Sequence, residues 1–215
     1  MNEVIFGNIY SYTDLGLMLS DVEISVPETK RFLVDVPGRD GILDLTPALT
    51  PKVKFNNRTI TLTFVVADYQ RRWLTLFSGL ESQLHGKRFN VVIQPDTGYF
   101  WDAFCQISKI KSDRNKGTVV VTLDADPYKY KTVLTEYEVI PASIGRSQIC
   151  VNDRMSVIPN FYATNVCTLA FGNITKTLQV GNNSFMDIVF EQGNNEVILT
   201  GTVGTVTISY REGRL

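Results

Sequence analysis

Residues 58–66, RTITLTFVV, decide the fold class of the first part of this chain. Apolar residues occupy every second position of the stretch: Ile60, Leu62, Phe64 and Val66. Thr59, Thr61 and Thr63 fall on the other face of an extended backbone. Strict alternation of this kind predicts a half-buried β-strand.

Two further segments of the first part have the composition of strands. They are WDAFCQISKI at 101–110 and TVVVTLDA at 118–125. The connection between them, SDRNKG, ends in Gly117, a residue that is available for a positive φ. We therefore expect the two segments to form a β-hairpin.

One helix is predicted among these strands, from about Asp68 to His85. Apolar residues recur there at spacings of three and four: Trp73, Phe77, Leu80 and Leu84. Asp68 is suited to cap the start of the helix by accepting backbone N–H bonds, and Gly86 follows as a natural stop. A single helix among strands is expected to pack across a sheet.

The composition changes near residues 135–142, EYEVIPAS, and we place a domain boundary near Pro141. The following part is poorer in charge, has no Trp, and is divided by short Gly turns at 171–173, 181–183, 192–195 and 201–204. Strands are expected between these turns, around Thr168, Leu178, Ile188, Ile198 and Ile208. The sequence thus predicts an N-terminal β-rich domain with one helix (1–138) and a C-terminal antiparallel sandwich or jelly roll (139–215).

The overall composition excludes several classes of protein. The chain has 215 residues, of which 44% are hydrophobic and 20% charged, values that argue against disorder. The net charge of -1 lacks the basic excess of a free-standing nucleic-acid binder. No apolar run exceeds four residues, so we expect no membrane span, and the N-terminal segment lacks the basic start of a secretory signal.

The candidate nucleophiles and bases do not form a catalytic pattern. Cys105, Cys150 and Cys167 are odd in number and lie among apolar neighbours, which predicts buried free thiols in a reducing cytoplasm. The single histidine, His85, lies at the predicted helix end, where a cation is favoured by the helix dipole. We therefore interpret it as a helix-capping residue rather than as a catalytic base.

The carboxylates offer two weak candidate sites. Asp124 and Asp126 precede Pro127 and are the nearest candidates for calcium ligands, but a polar strand end is the favoured interpretation. Asp40 and Asp44 flank Gly41 and could hydrolyse a glycoside as a pair, although Asp is common in such turns for backbone reasons. We predict no catalytic, cofactor-binding or metal-binding residues.

Basic and aromatic residues also cluster without defining a site. One basic group surrounds the predicted hairpin and its sequel: Lys109, Lys111, Arg114, Lys116, Lys129 and Lys131. Interleaved with Tyr128 and Tyr130 these residues could bind single strands, but solvated faces or subunit contacts are favoured. Phe161, Tyr162 and Phe185 could stack on sugars, against the favoured alternative that they form the core of a small sandwich.

Several motifs together resemble the distal tail proteins (Dit family) of long-tailed, non-contractile bacteriophages. They are VIFGNIYSYTDLGLML at 4–19, VPGRDGILDLT at 36–46, FNNRTITLTFVV at 55–66 with the Trp-bearing helix after it, and the closing GTVGTVTISYREGRL at 201–215. The resemblance covers nearly the whole chain. The combination of PGRDG-x-LDLT with R-x-I-x-L-x-F is moderately specific, whereas either piece alone is weak.

The resemblance implies a structural role at the tip of a phage tail. It implies that the N-terminal domains of several copies form a hexameric ring that joins the tail tube to the hub protein and the adhesion apparatus. It also implies that the C-terminal galectin-like sandwiches project outward and dock receptor-binding proteins. DNA would cross the lumen only in transit, which a near-neutral chain suits. Such a protein is made in the host bacterial cytoplasm and needs neither enzymatic activity nor a cofactor.

The segment from Lys30 to Phe55 is the candidate for contact between subunits. We predict long hairpins that reach a neighbouring subunit, because unpaired strand edges are templates for pairing. An ordinary hairpin packed within its own domain is the alternative. Two other functions stay open: a carbohydrate-binding sandwich that depends on Tyr162, and a hydrolase that uses Asp40 or Asp44.

Overall fold

The computed structural model describes residues 3–50, 52–66, 73–113 and 116–215. The chain divides into two compact units, Met1–Pro127 and Tyr128–Leu215. From the change in composition we expected the domain boundary at 138/139, whereas the two compact units divide between Pro127 and Tyr128. The assignment of a ring domain and a sandwich domain to the two parts stays a prediction.

The first unit is built around one antiparallel sheet. Its strands are Val4–Phe6 (β1), Ile9–Tyr10 (β2), Leu17–Ile24 (β3), Leu33–Val34 (β4), Leu43–Asp44 (β5), Arg58–Val66 (β6), Lys87–Ile93 (β7), Tyr99–Asp113 (β8) and Lys116–Ala125 (β9). Its helices are Thr46–Leu49 (α1) and Trp73–Leu84 (α2). The main sheet has the order β2-β1-β7-β8-β9-β6-β3, while β4 and β5 pair only with each other among the described strands. The prediction of a mainly β fold is confirmed.

The strand predicted from RTITLTFVV is confirmed with its two faces. Strand β6 lies between β9 and β3, and every apolar residue of the alternation is buried in the core of the unit. The hairpin of β8 and β9 is also confirmed. Gly117, however, pairs with Ser112 inside the ladder, so it does not form the turn. The turn itself, at residues 114–115, lies outside the described residues.

Helix α2 packs on this sheet against β8, as the apolar stripe predicts. Leu80 and Leu84 are buried, and Phe77 packs against the same core. Gly86 follows the helix with a φ of 75°, the left-handed conformation expected of a glycine stop. The predicted cap Asp68 and the side chain of Trp73 lie outside the described part of the chain. In that part no helix is long and apolar enough to span a membrane.

The second unit contains two antiparallel sheets that share one apolar core. Its strands are Lys129–Lys131 (β10), Thr135–Val139 (β11), Arg146–Asn152 (β12), Asn160–Ala163 (β13), Cys167–Phe171 (β14), Ile174–Leu178 (β15), Gly181–Ser184 (β16), Gly193–Thr200 (β17), Val206–Tyr210 (β18) and Gly213–Arg214 (β19). The sheets have the orders β11-β18-β13-β16 and β12-β17-β14-β15. Inward residues of both sheets fill the space between them, as in a sandwich.

The glycine turns at 171–173 and 201–204 are confirmed, and so are most of the predicted strands. The turns expected at 181–183 and 192–195 are wrong, because Gly181–Ser184 and Gly193–Thr200 are strands that begin at a glycine with a positive φ. The strand expected around Ile188 is wrong, because that residue lies in a turn. Its side chain is nevertheless fully buried in the core. Burial of a large apolar side chain therefore does not require the chain around it to be a strand.

Two tyrosines tie the sheets of the second unit together at one point. Val151 on β12 donates its N–H to the Tyr137 hydroxyl at 3.3 Å, and its carbonyl accepts a hydrogen bond from the Tyr210 hydroxyl. The two rings are stacked with centroids 6.4 Å apart. Burial raises the pKa of Tyr210, so this hydroxyl stays a donor over the physiological range.

Candidate assembly surfaces

The chain between β3 and β6, residues 25–57, forms a surface segment that we call the arm. Within it Leu33 pairs with Asp44, and Val34 pairs with Leu43. These strands are only two residues long, but an antiparallel bridge also joins Thr29 to Phe55 at the base of the arm. The connecting turn contains two glycines with positive φ, and a four-residue helix, α1, follows β5. The arm is thus a hairpin with interrupted pairing, and its contact with a neighbouring subunit stays a prediction.

Polar contacts around Asp44 hold the arm in shape. Its carboxylate accepts hydrogen bonds from Arg31 Nη2 at 2.8 Å and from the Thr46 N–H at 3.0 Å. Thr46 Oγ1 in turn accepts the N–H of Phe32 at 2.7 Å. Hydrogen bonds from Thr46 and then Arg31 lower the pKa of Asp44 to about 2. A carboxyl group in this state is ionised at neutral pH, so Asp44 is poorly suited to act as a general acid.

The arm exposes much apolar surface. Its large apolar side chains that face solvent are between 37% and 86% exposed: Val26, Phe32, Leu33, Val36, Ile42, Leu49 and Val53. None of the arm's large apolar side chains in the described range belongs to the buried core of the first unit. Monomeric proteins rarely leave apolar residues clustered in this way, and such patches mark interaction sites. The arm is therefore the leading candidate for contact with another chain.

Strand β3 provides a second candidate surface, because it ends the path of the main sheet. Its register shifts between Leu19 and Asp21, which indicates a bulge. Asp21 and Glu23 place charges beyond the bulge. Bulges and charges on an edge strand oppose unregulated pairing with other chains. Any partner that pairs with this edge must fit the bulge and the charges.

The predicted carboxylate sites do not assemble into a reactive group. Arg88 binds Asp102 at 2.6 Å and Asp126 at 2.8 Å, so Asp126 is part of an ion-pair network instead of a calcium loop. Asp40 is exposed in the arm turn, and Asp124 is exposed on β9. Within the described ranges no group of three or more His, Cys, Asp or Glu residues could hold a metal ion.

The histidine and the cysteines have structural positions. The Nδ1 atom of His85 accepts the Ile107 N–H at 3.0 Å, so the ring connects the helix end to β8. The role of His85 as a helix cap stays a prediction. The predicted burial of the three free cysteines is confirmed. Burial raises the pKa of Cys105 and of Cys150 to about 12, which leaves both thiols unreactive.

The aromatic candidates of the second unit have different positions. Phe161 is fully buried and Phe185 packs against the core, so the core interpretation is confirmed for both. Tyr162 is 48% exposed on the outer face of its sheet. It lies in register between Asn182 on β16 and Thr207 on β18. This face presents one aromatic ring beside hydrogen-bonding side chains, with Glu138 in register with Thr207 on the far side of β18.

The predicted basic cluster is spread over both units. Lys109 and Lys111 are exposed on β8, whereas Lys131 belongs to the second unit and binds Glu212 at 2.8 Å. Arg114 and the side chain of Lys116 lie outside the described residues. Binding of a single strand by this cluster stays untested.

Comparison with known proteins identifies the fold. No protein-family model matches the chain, and no curated protein matches it. Over its full length the chain is similar to the crystal structure of Dit from phage SPP1, a hub adsorption apparatus protein of phages that infect Gram-positive bacteria. The TM-score is 0.70, the sequence identity is 12%, and 100% of each chain is covered. The chain thus has the Dit fold, and the resemblance in its motifs is confirmed at this level.

A second similar structure is a de novo designed double-stranded β-helix. It covers 39% of this chain and 100% of its own, with a TM-score of 0.27 and 15% identity. A similarity of that size does not indicate a shared fold. The assignment of the fold therefore rests on the full-length match to SPP1 Dit.

Proposed function

We propose that this protein is a structural component of a phage tail tip, where it forms a ring between the tail tube and the hub with its adhesion apparatus. The observation that carries the proposal is the full-length fold similarity to SPP1 Dit. In this role the protein works by shape and performs no chemistry. The ring is hexameric, and its lumen lets DNA pass at ejection.

The surface of the first unit supports a role in assembly. The exposed apolar side chains of the arm lose their contact with water only if another chain covers them. Burial of apolar surface stabilises association by about 25 cal/mol per Å² before the costs of binding are subtracted. The free edge of β3 adds backbone groups that a neighbour can pair with. The second unit projects outward and offers a docking site for a receptor-binding protein.

The oligomeric state of the purified chain tests this proposal. We expect light scattering to show a multimer and negative-stain micrographs to show rings, either alone or after addition of the tail-tube or hub protein. Replacing Phe32 and Leu33 in the arm by Ser should weaken ring formation, because both side chains are exposed and apolar. Met186→Ser is the matched control, since Met186 is 90% exposed in the second unit. A chain that stays monomeric with every partner would contradict the proposal.

Carbohydrate binding by the second unit is the second candidate function. The observation that favours it is the exposed Tyr162 between Asn182 and Thr207, because an aromatic face with amide and hydroxyl neighbours suits a sugar ring. Titration with cell-wall polysaccharide should show saturable binding that Tyr162→Ala abolishes. Tyr10→Ala, at another exposed tyrosine, is the control and should bind normally. No binding by the wild-type chain would exclude this function.

A further inference from the structure

Helix α2 borders a cleft with an apolar floor. The cleft has a volume of about 440 Å³ and is lined by Leu15, Leu76 and Leu80, with Asp14 and Gln83 at its rim. Pockets that accept ligand-sized groups have volumes of about 300–1,000 Å³. The cleft is therefore large enough to take apolar side chains from another molecule.

Gly79 keeps this cleft open. It lies inside α2 and lines the cleft, and a Cβ atom built on it would meet no atom within 4 Å. Glycine is a poor residue for a helix interior, because it adds backbone entropy to the unfolded chain and contributes no packing. The first unit therefore has room for a larger side chain at position 79. With glycine at this position, the volume stays part of the cleft.

The tip of the arm has the size and chemistry to occupy such a cleft. Val36 and Ile42 flank the turn and are 37% and 64% exposed. The turn between them carries Arg39 at its apex, where the Arg39 N–H binds the Val36 carbonyl at 3.1 Å. The tip thus presents two apolar side chains with the cation of Arg39 and the exposed carboxylate of Asp40 between them.

Asp14 at the rim of the cleft offers a partner of opposite charge to Arg39. Asp14 accepts the Tyr10 N–H through Oδ2 at 2.7 Å, and this contact fixes the carboxylate beside the apolar floor. A carboxylate accepts several hydrogen bonds and can bind a guanidinium at the same time. Arg39 can therefore meet Asp14 while Val36 and Ile42 enter the cleft.

We propose that the arm tip of one copy, Val36 to Ile42, inserts into the Gly79 cleft of the next copy. No described residue of the arm lines the cleft of its own chain, so a second chain must supply the tip. The tip and the cleft are different surfaces, and repeated contacts of this head-to-tail kind close into a ring when the rotation between copies permits. This inference rests on the proposed ring function and names the contact between its subunits.

Disulfide cross-linking of the full chain tests the contact directly. The variant Ile42→Cys with Gln83→Cys is assembled under conditions in which the wild type forms rings and is then oxidised with diamide. The native thiols are buried, so they do not interfere. We expect a ladder of dimers, trimers and larger species on denaturing gels, and no ladder from either single variant.

The other outcomes separate this inference from the proposed function. Rings without cross-links, cross-linked dimers alone, or cross-links within one chain overturn the inference and leave the ring function standing. A wild-type chain that forms no ring with itself, the tube protein or the hub overturns both. A second variant, Gly79→Leu, should fold normally, because the position has room, yet it should lose ring formation.

The charge contact is tested by a double-mutant cycle. Asp14→Asn keeps an acceptor for the Tyr10 N–H but removes the charge, and Arg39→Gln removes the cation. Each single change should weaken assembly about 2- to 5-fold, the range of a partly exposed ion pair. The double variant should be no weaker than either single variant, because the pair is already broken. Independent, additive losses would overturn the assigned contact.

Discussion

The arm and strand β6 are neighbours in the chain and both are rich in large apolar residues, but they use these residues in opposite ways. In β6 the four alternating apolar side chains from Ile60 to Val66 are buried, and β9 and β3 pair with the strand on both sides. In the arm the paired strands have two residues each, and the apolar side chains face solvent. Apolar content alone therefore does not place a residue in the core. In β6, pairing of the backbone on both sides places the alternating apolar side chains in the core.

Phenylalanine substitutions in the two regions give the largest contrast. Phe64→Ala empties a fully buried site and should lower the free energy of unfolding by about 3–5 kcal/mol. Phe32→Ala changes a half-exposed side chain and should lower the monomer's stability by less than about 0.5 kcal/mol. Urea denaturation of the dilute chain measures both values. Equal losses would show that the arm packs into the core of its own chain.

Tyrosines extend the comparison to the second unit with a smaller effect. Tyr210→Phe removes the donor of a partly buried hydrogen bond to the Val151 carbonyl and should cost about 1–1.5 kcal/mol. Tyr162→Phe, on the exposed face, should change the stability by less than about 0.5 kcal/mol. Thermal unfolding followed by near-UV circular dichroism measures both. A large loss from Tyr162→Phe would contradict its assignment to the outer face.

A single hydrogen bond at the end of α2 should contribute less. His85→Ala leaves the Ile107 N–H without its side-chain acceptor and should cost about 0.5–1.5 kcal/mol. His85→Asn retains an acceptor close to the position of Nδ1 and should restore most of the loss. Denaturant midpoints of the two variants distinguish this hydrogen bond from a simple packing effect, which Asn would not restore.

The smallest effect is a local response of the arm to acid. The folded-state pKa of Asp44 is about 2, below the ordinary value of 3.8, so the unfolded arm takes up a proton first. The stabilisation is present above pH 3.8 and is lost as the pH falls through about 2. Hydrogen exchange at the Phe32 and Thr46 amides should therefore accelerate over that range. Asp44→Asn should exchange faster above it and respond little to pH; an unchanged acid response in this variant would contradict the assignment.

Local patterns predicted the elements that depend on near neighbours. The alternation in β6, the apolar stripe of α2 and two glycine turns of the second unit were all visible in the sequence. Ile188 was assigned to a strand because it lies between two predicted glycine turns; its side chain is buried in the core, but the chain around it is not a strand. Burial and backbone conformation are separate properties. A single apolar residue between two predicted turns indicates that its side chain is buried, but it does not indicate a strand.

The sequence predicted where in the chain the arm lies, but it did not predict the structure of the arm. The glycines and prolines between Lys30 and Phe55 indicated turns, yet they could not show that the paired strands have only two residues each. The helix α1 was not predicted, because its four residues are too few for any periodicity. The cleft beside Gly79 left no sequence signal, since a glycine inside a helix shows neither what surrounds it nor how much space is free.

The sequence by itself determined the mainly β character, the single long helix, the two-part organisation and the resemblance to distal tail proteins. Periodicity and turn chemistry act over a few residues, so they can be read from the chain directly. Only the tertiary structure decided which apolar residues stay exposed, that His85 accepts a hydrogen bond from β8, and that a cleft lies beside Gly79. Those properties depend on residues far apart in the chain, and their contacts exist only after folding has brought them together.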